Sequence, residues 1–202
     1  MTAILWLRRD MRLDDHPALE AALDAAETSG SDVLPLFVLD PHLSRTGAAR
    51  RARLLASLAA LSHACGGALV VRTGDPRSVL PAVSAEVGAR TVHVTGEHSP
   101  YARLRDAAVC AHLADAGVLM TSAGSCHAVT PGTLRTQQGT PFRVFTPFLR
   151  AWRAEVERLV HSATPTRHDG HLLPWRRWVD SDPLDAARTA PPRTGPRTMP
   201  TL

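Results

Sequence analysis

Two clusters of arginine, carboxylate and aromatic residues in this chain could hold a small ligand through directional donors and acceptors beside an apolar slot. Arg8, Arg9, Asp10 and Arg12 follow one short apolar run, and Glu97, Ser99 and Tyr101 follow another. A planar conjugated guest with carbonyl and ring-nitrogen acceptors needs an apolar slot, an aromatic or aliphatic face and a few directional donors. Phe37, Leu39 and Tyr101 are candidates for the slot, Arg9, Arg50 and Arg51 for the donors, and Glu97 for an acceptor of a hydroxyl, with Asp40 at the rim. Arg50, Arg51 and Arg53 open a helical pattern, where the macrodipole disfavours cations, so an anion or ring acceptor nearby would offset that cost. Asp10 and Arg12 are expected to act as a structural ion pair or a loop brace, and Arg105 to brace the loop from a distance. Arg105 and Asp106, being adjacent, are not expected to pair as helical i,i+4 neighbours do. No residue is assigned a catalytic role. The ten His show no HxxxH or HxxEH spacing, which argues against a metal site. Neither GxGxxG after the first apolar run nor GxxxxGK[ST] anywhere is present, which disfavours ordinary dinucleotide and P-loop binding.

The elements that must carry these residues follow from periodicity. Ala3 to Leu7, Val33 to Leu39, Ala68 to Arg72, Thr91 to Thr95 and Val118 to Thr121 are short apolar runs that read as buried strands. Between them Leu19, Ala22, Leu23 and Ala26 share one helical face, as do Leu54, Leu58 and Leu61, and then Val79, Leu80, Val83 and Val87. Asp75-Pro76, Ser99-Pro100 and Thr146-Pro147 each offer a side-chain oxygen as N-cap and a Pro to open the helix. Strict alternation implies an α/β fold, a Rossmann-like, doubly wound, five-stranded parallel sheet with helices on both faces. A ligand crevice then lies beyond the carboxyl ends of the strands. The loops that line it are Arg8 to Asp14, Asp40 to Gly47, Gly74-Asp75 and Gly96 to Tyr101. If the first and fourth strands are neighbours, the first and last of these face each other.

Composition sets bounds. The chain has 202 residues and a net charge of +4, and all 23 basic residues are Arg, scattered along the sequence rather than gathered into a polyanion-binding stripe. No apolar run approaches a membrane span and no signal segment opens the chain, so a cytoplasmic protein without membrane contact is expected. Cys65, Cys110 and Cys126 are too few and too far apart for a disulfide framework and are expected as reduced, buried or half-buried thiols. A last helix is expected from the Thr146-Pro147 cap to about His161, carrying Phe145, Phe148, Leu149, Trp152, Val156 and Leu159. We therefore divide the chain into an α/β domain over 1–161 and a Pro/Arg-rich tail over 162–202, largely disordered, with seven Pro and one apolar island, Leu172 to Val179.

Two segments carry a family resemblance. Trp6-Leu7-Arg8-Arg9-Asp10-Met11-Arg12-Leu13-Asp14-Asp15-His16-Pro17-Ala18-Leu19 and Phe142-Arg143-Val144-Phe145-Thr146-Pro147-Phe148-Leu149-Arg150-Ala151-Trp152 resemble the N-terminal domain of the DNA photolyase/cryptochrome family. The resemblance implies an antenna domain, housing 8-hydroxy-5-deazaflavin or methenyltetrahydrofolate and passing excitation to a flavin, FAD, in a helical domain that splits pyrimidine dimers in DNA. Glu97-His98-Ser99-Pro100-Tyr101-Ala102-Arg103-Leu104-Arg105-Asp106 is similar to the variant that accompanies deazaflavin antennae, with Glu97 in place of Asp and Ser99 in place of Glu. Folate-type members more often carry an Asn-Glu pair at Tyr101-Ala102.

No counterpart of the helical domain's flavin-binding segment is found, so the chain is expected to be an antenna domain that is not catalytic alone. A separate flavin-binding photolyase subunit is the expected partner, DNA is contacted only indirectly, and the oligomeric state is left open. Two alternatives stand beside this reading: a fragment of a split or frameshifted photolyase, and a nucleotide-binding α/β module sharing only the architecture.

Overall fold

In the computed structural model, which describes residues 2–41 and 47–162, the apolar runs form β1 (Ala3–Leu7), β2 (Val33–Leu39), β3 (Val70–Thr73), β4 (Thr91–Gly96) and β5 (Leu119–Ser125). Between and after them come α1 (Pro17–Ser29), α2 (Ala48–Ala64), α3 (Pro76–Val87), α4 (Pro100–Asp115) and α5 (Phe145–Ser162). All strands pair in parallel in the order β3-β2-β1-β4-β5. The first and fourth strands are neighbours as the crevice requires, and the winding reverses at β1.

Every residue of β1 and β2 is buried, which is why they read as continuous apolar runs instead of alternating ones. Leu5, Leu7 and Phe37 pack on one side with Leu19 of α1 and Leu58 and Leu61 of α2. Ile4 and Trp6 pack on the other with Leu80 and Val83 of α3 and Val109 and Leu113 of α4. Each large side chain so buried is worth about 1.5–3 kcal/mol relative to exposure.

The expected caps of α3 and α4 form. Asp75 accepts from the Arg77 N–H and Ser99 from the Ala102 N–H, each with Pro in the first turn. Three expectations need correction. The β5 region is a sheet edge with no fully buried residue and Leu119 64% exposed, because among the described residues β4 alone flanks it. The helix α5 starts at Phe145, so Thr146 lies inside it and does not cap it; the Phe148 N–H donates to the Val144 carbonyl. Cys110 is exposed, whereas Cys65 is buried and Cys126 is half-buried. The tail from 163, its Leu172 to Val179 island included, and residues 42–46 of the second rim loop lie outside the described residues. Among the described residues no helix is long and apolar enough to cross a membrane.

One close approach fixes α1 on the sheet edge. Gly124 has φ 71°, and a Cβ there would lie 2.8 Å from Cγ of Pro17. The substitution Gly124→Ala is therefore expected to cost about 1–3 kcal/mol in urea unfolding.

His93 sits in β4 opposite Leu5, 5% exposed, with neither ring nitrogen hydrogen-bonded among the described residues. Burial holds its pKa below the ordinary 6.5. A folded-state pKa lowered in this way makes the neutral ring the stabilising form above 6.5, and stability declines as pH falls below that value. Urea titrations between pH 7 and 5 should show a loss of up to about 1.4 kcal/mol per pH unit, and His93→Leu should flatten that slope.

Candidate functional site

The β1 strand delivers Trp6 and Arg8 to the crevice from alternate positions, while the loop after β4 and the first turns of α4 deliver Glu97, Tyr101, Arg105 and Asp106. These groups form a buried ionic network. Arg8 Nη1 lies 2.7 Å from Asp106 Oδ1, and Arg8 Nε lies 3.5 Å from Glu97 Oε1. The second Arg8 amino group donates to the Thr95 carbonyl. Arg105 Nη2 lies 2.7 Å from Asp106 and 3.6 Å from Glu97, and Arg105 Nε donates to Asp106 at 2.8 Å. Adjacent on the chain, Arg105 and Asp106 do pair, because the long guanidinium bends back toward the carboxylate next to it. Two cations and two anions thus close on one another, the condition under which buried charge is tolerable.

The guanidinium carbons of Arg8 and Arg105 lie 4.7 and 5.2 Å from the centre of the Trp6 ring. Arg105 also lies 5.8 Å from the Tyr101 ring. Across the mouth, the Tyr101 hydroxyl donates to Asp40 at 2.5 Å, tying the first turn of α4 to the end of β2. Desolvation and the Asp40 hydrogen bond push the phenol up to about 12, so it stays a donor at any ordinary pH.

A second buried pair holds the β1 loop from behind. His16 Nε2 lies 2.9 Å from Asp10 Oδ2 with both side chains under 5% exposed. His16 Nδ1 accepts from the Leu19 N–H, so this histidine is the N-cap of α1. Asp10 accepts from the Arg8 N–H as well. Burial raises the Asp10 pKa, but hydrogen bonds from His16, Thr95 and Arg8 outweigh it and hold the carboxyl far below its usual 3.8. Asp10 and Arg12 do not pair with each other, and of the two expected forms the loop brace is the one observed. Arg12 instead turns outward and donates to the carbonyls of Asp14 and Asp15.

Between these supports lies a cleft of about 620 Å³. Leu7, Met11, Phe37 and Leu54 form one wall, and Trp6, Val38, Pro76 and Tyr101 the other, with Arg8, Arg9, Asp40, Glu97, Ser99 and Arg105 supplying the polar groups. Its size falls within the roughly 300–1,000 Å³ of small-molecule sites.

Of the residues expected from sequence, Arg9, Phe37, Asp40, Glu97 and Tyr101 line this cleft. Leu39, Arg50 and Arg51 do not. Leu39 is committed to the core, and α2 meets the cleft one turn further on, through Leu54. Glu97 faces Arg8 at 3.5 Å and Arg105 at 3.6 Å, and its Oε1 accepts no hydrogen bond among the described residues. Trp6, Met11, Leu54 and Pro76 were not legible as lining. Among the described residues no group of three metal-ligating side chains occurs.

The fold and this cleft define a doubly wound α/β domain with a crevice at its switch point. The DNA photolyase family model matches residues 3–168, and the chain belongs to that family. It is 36% identical over 157 residues to a deoxyribodipyrimidine photo-lyase of Agrobacterium fabrum, covering 76% of this chain and 32% of that one. It is 36% identical over 192 residues to the Streptomyces griseus deoxyribodipyrimidine photo-lyase, covering 90% and 40%. A crystal structure of a bacterial class III photolyase from Agrobacterium tumefaciens superposes with a TM-score of 0.76 at 30% identity, covering 96% of this chain and 39% of that one. The chain spans about a third to a half of the length of the curated relatives it matches.

Removing Arg8 leaves Glu97 and Asp106 short of a cation in a dry site, so Arg8→Met should cost about 3–5 kcal/mol in chemical unfolding, whereas Arg12→Ala should change stability by less than about 0.5 kcal/mol. Because the folded Asp10 pKa is depressed, its contribution is present above 3.8 and lost as pH falls below it. Acid unfolding of Asp10→Asn should therefore show a shallower dependence below pH 4 than that of the unaltered protein.

Proposed function

We propose that this chain acts as an antenna-type α/β domain of the photolyase family, holding a planar light-harvesting pigment of the deazaflavin class in the cleft between Arg9 and Glu97. The observation that carries this reading is the cleft itself: apolar walls on both sides of the sheet and a donor-rich rim. Asp106 and Asp40 already accept hydrogen bonds from Arg8, Arg105 and Tyr101, and Glu97 is paired in charge with both arginines at 3.5 and 3.6 Å, whereas Arg9 is exposed at the mouth. A guest that accepts hydrogen bonds suits such a rim better than one that donates them. The Tyr101-Ala102 sequence in α4 favours 8-hydroxy-5-deazaflavin over methenyltetrahydrofolate.

The fit is chemical as well as spatial. Arg9 would direct an N–H at a ring carbonyl or ring nitrogen, Phe37 and Met11 would cover one edge, and Tyr101, held by Asp40, would cover the mouth. The pigment when bound would supply absorption of visible light and transfer of its excitation. The flavin that drives repair of pyrimidine dimers in DNA would be held outside this α/β domain, and this domain would meet DNA only through the flavin-binding part.

Absorption spectra of the protein purified from a host that makes deazaflavin test this directly. A visible band that stays with the protein through gel filtration is the expected result. A protein with its ultraviolet tryptophan band alone, unchanged after addition of 8-hydroxy-5-deazaflavin or methenyltetrahydrofolate, would remove the reading. Tyr101→Ala is expected to weaken pigment binding about tenfold, equivalent to about 1.4 kcal/mol, in a fluorescence titration.

A further inference from the structure

Trp6 poses a problem for any excited guest in this cleft. An indole is an easily oxidised group, and in contact with an excited conjugated ring it can give up one electron to it. Return of that electron to the indole restores both partners and releases the energy as heat, so the photon is wasted. Trp6 lines the cleft and so lies close to whatever ring the cleft holds.

From the surroundings of this indole, and resting on the pigment-binding reading above, we infer that Arg8 and Arg105 shield the guest's excited state by making Trp6 hard to oxidise. Two independent features act in the same direction. First, both guanidinium groups lie over the ring, at 4.7 and 5.2 Å, with side chains only 6% and 13% exposed. A positive charge held that close in a dry setting raises the energy of an indole radical cation far more than it would in water. Glu97 and Asp106 pair with these guanidinium groups and reduce the field, while the guanidinium groups themselves are the charges placed over the ring. Second, Trp6 Nε1 is buried and has no hydrogen-bond acceptor among the described residues. An oxidised indole becomes strongly acidic, and no neighbouring group is placed to take its proton and so stabilise the oxidised form. Ordinary indoles find a partner when buried, so the orphaned N–H is a departure that this role explains.

The network is therefore more than a brace for the β1 loop. A brace needs ion pairs between β1 and α4 but has no need of a tryptophan beneath them, whereas a shield needs the cations in contact with the ring.

The fluorescence lifetime of 8-hydroxy-5-deazaflavin, and separately of methenyltetrahydrofolate, bound to the full chain reads this out. The variants are Arg105→Met, the milder Arg105→Lys should the first fail to fold, and each combined with Trp6→Phe. Arg105→Met is expected to shorten the lifetime several-fold, Arg105→Lys less so, and Trp6→Phe in the same chain should restore it. Restoration by Trp6→Phe separates electron donation by the indole from mere loosening of the cleft, which that substitution would not repair. An unaltered lifetime in both Arg105 variants, or shortening that persists with Phe at position 6, overturns the shield while leaving pigment binding in place. Failure of the unaltered chain to bind either pigment overturns the antenna reading, and the shield with it.

Discussion

The structure depends on the closure of charge around Arg8. This side chain leaves the end of the central strand and meets Glu97, Asp106 and the Thr95 carbonyl, all from the neighbouring strand and the helix that follows it. Removing charged groups from water costs several kcal/mol per ion unless each finds its partners, and here each of the two guanidinium groups meets both carboxylates. The contribution to net stability is modest by that arithmetic. What the network does is specify one position of the β1 loop relative to α4, and that position sets the width of the crevice.

Two further links carry the same constraint outward. The Asp10–His16 pair ties the loop to the first turn of α1, with the unusual choice of a histidine as N-cap. Nδ1 accepts from the Leu19 N–H while Nε2 lies 2.9 Å from Asp10 Oδ2, so one ring serves helix and loop together. The Asp40–Tyr101 bond then joins β2 to α4 over the mouth. Three sets of polar contacts, two of them between elements distant in sequence, frame a cleft whose walls are otherwise apolar. Such a frame can be formed before a guest arrives, which lowers the ordering cost of binding.

The sheet was legible in the sequence because its strands are buried on both faces and flanked by Gly, Asp and Pro. The runs at Ala3 and Val33 coincide with the observed strands, and the neighbouring positions of β1 and β4 bring the named loops together. The edge strand was less legible, since Val118 to Thr121 looks as apolar as a central strand although β4 alone flanks it. The start of α5 was misplaced because a Thr-Pro pair satisfies the local cap rule while the helix extends to Phe145. At the site, Arg9, Phe37, Asp40, Glu97 and Tyr101 were found from loop position and residue type. Arg50 and Arg51 were not confirmed as lining, since which residue of a helix meets a crevice depends on its rotation, and here that residue is Leu54. Trp6 was hidden by its own strand, where an aromatic among Leu and Ile reads as core, and indeed it is nearly all core, with one edge turned to the cleft.

The central claim is that the crevice between Arg9 and Glu97 is built for a flat pigment. A crystal of the full chain grown with 8-hydroxy-5-deazaflavin tests it most directly. A plate of difference density lying between Phe37 and Tyr101, with Arg9 directed at its edge, is the predicted result. A crevice filled by the protein's own side chains, or pigment density only at other surfaces, would contradict it.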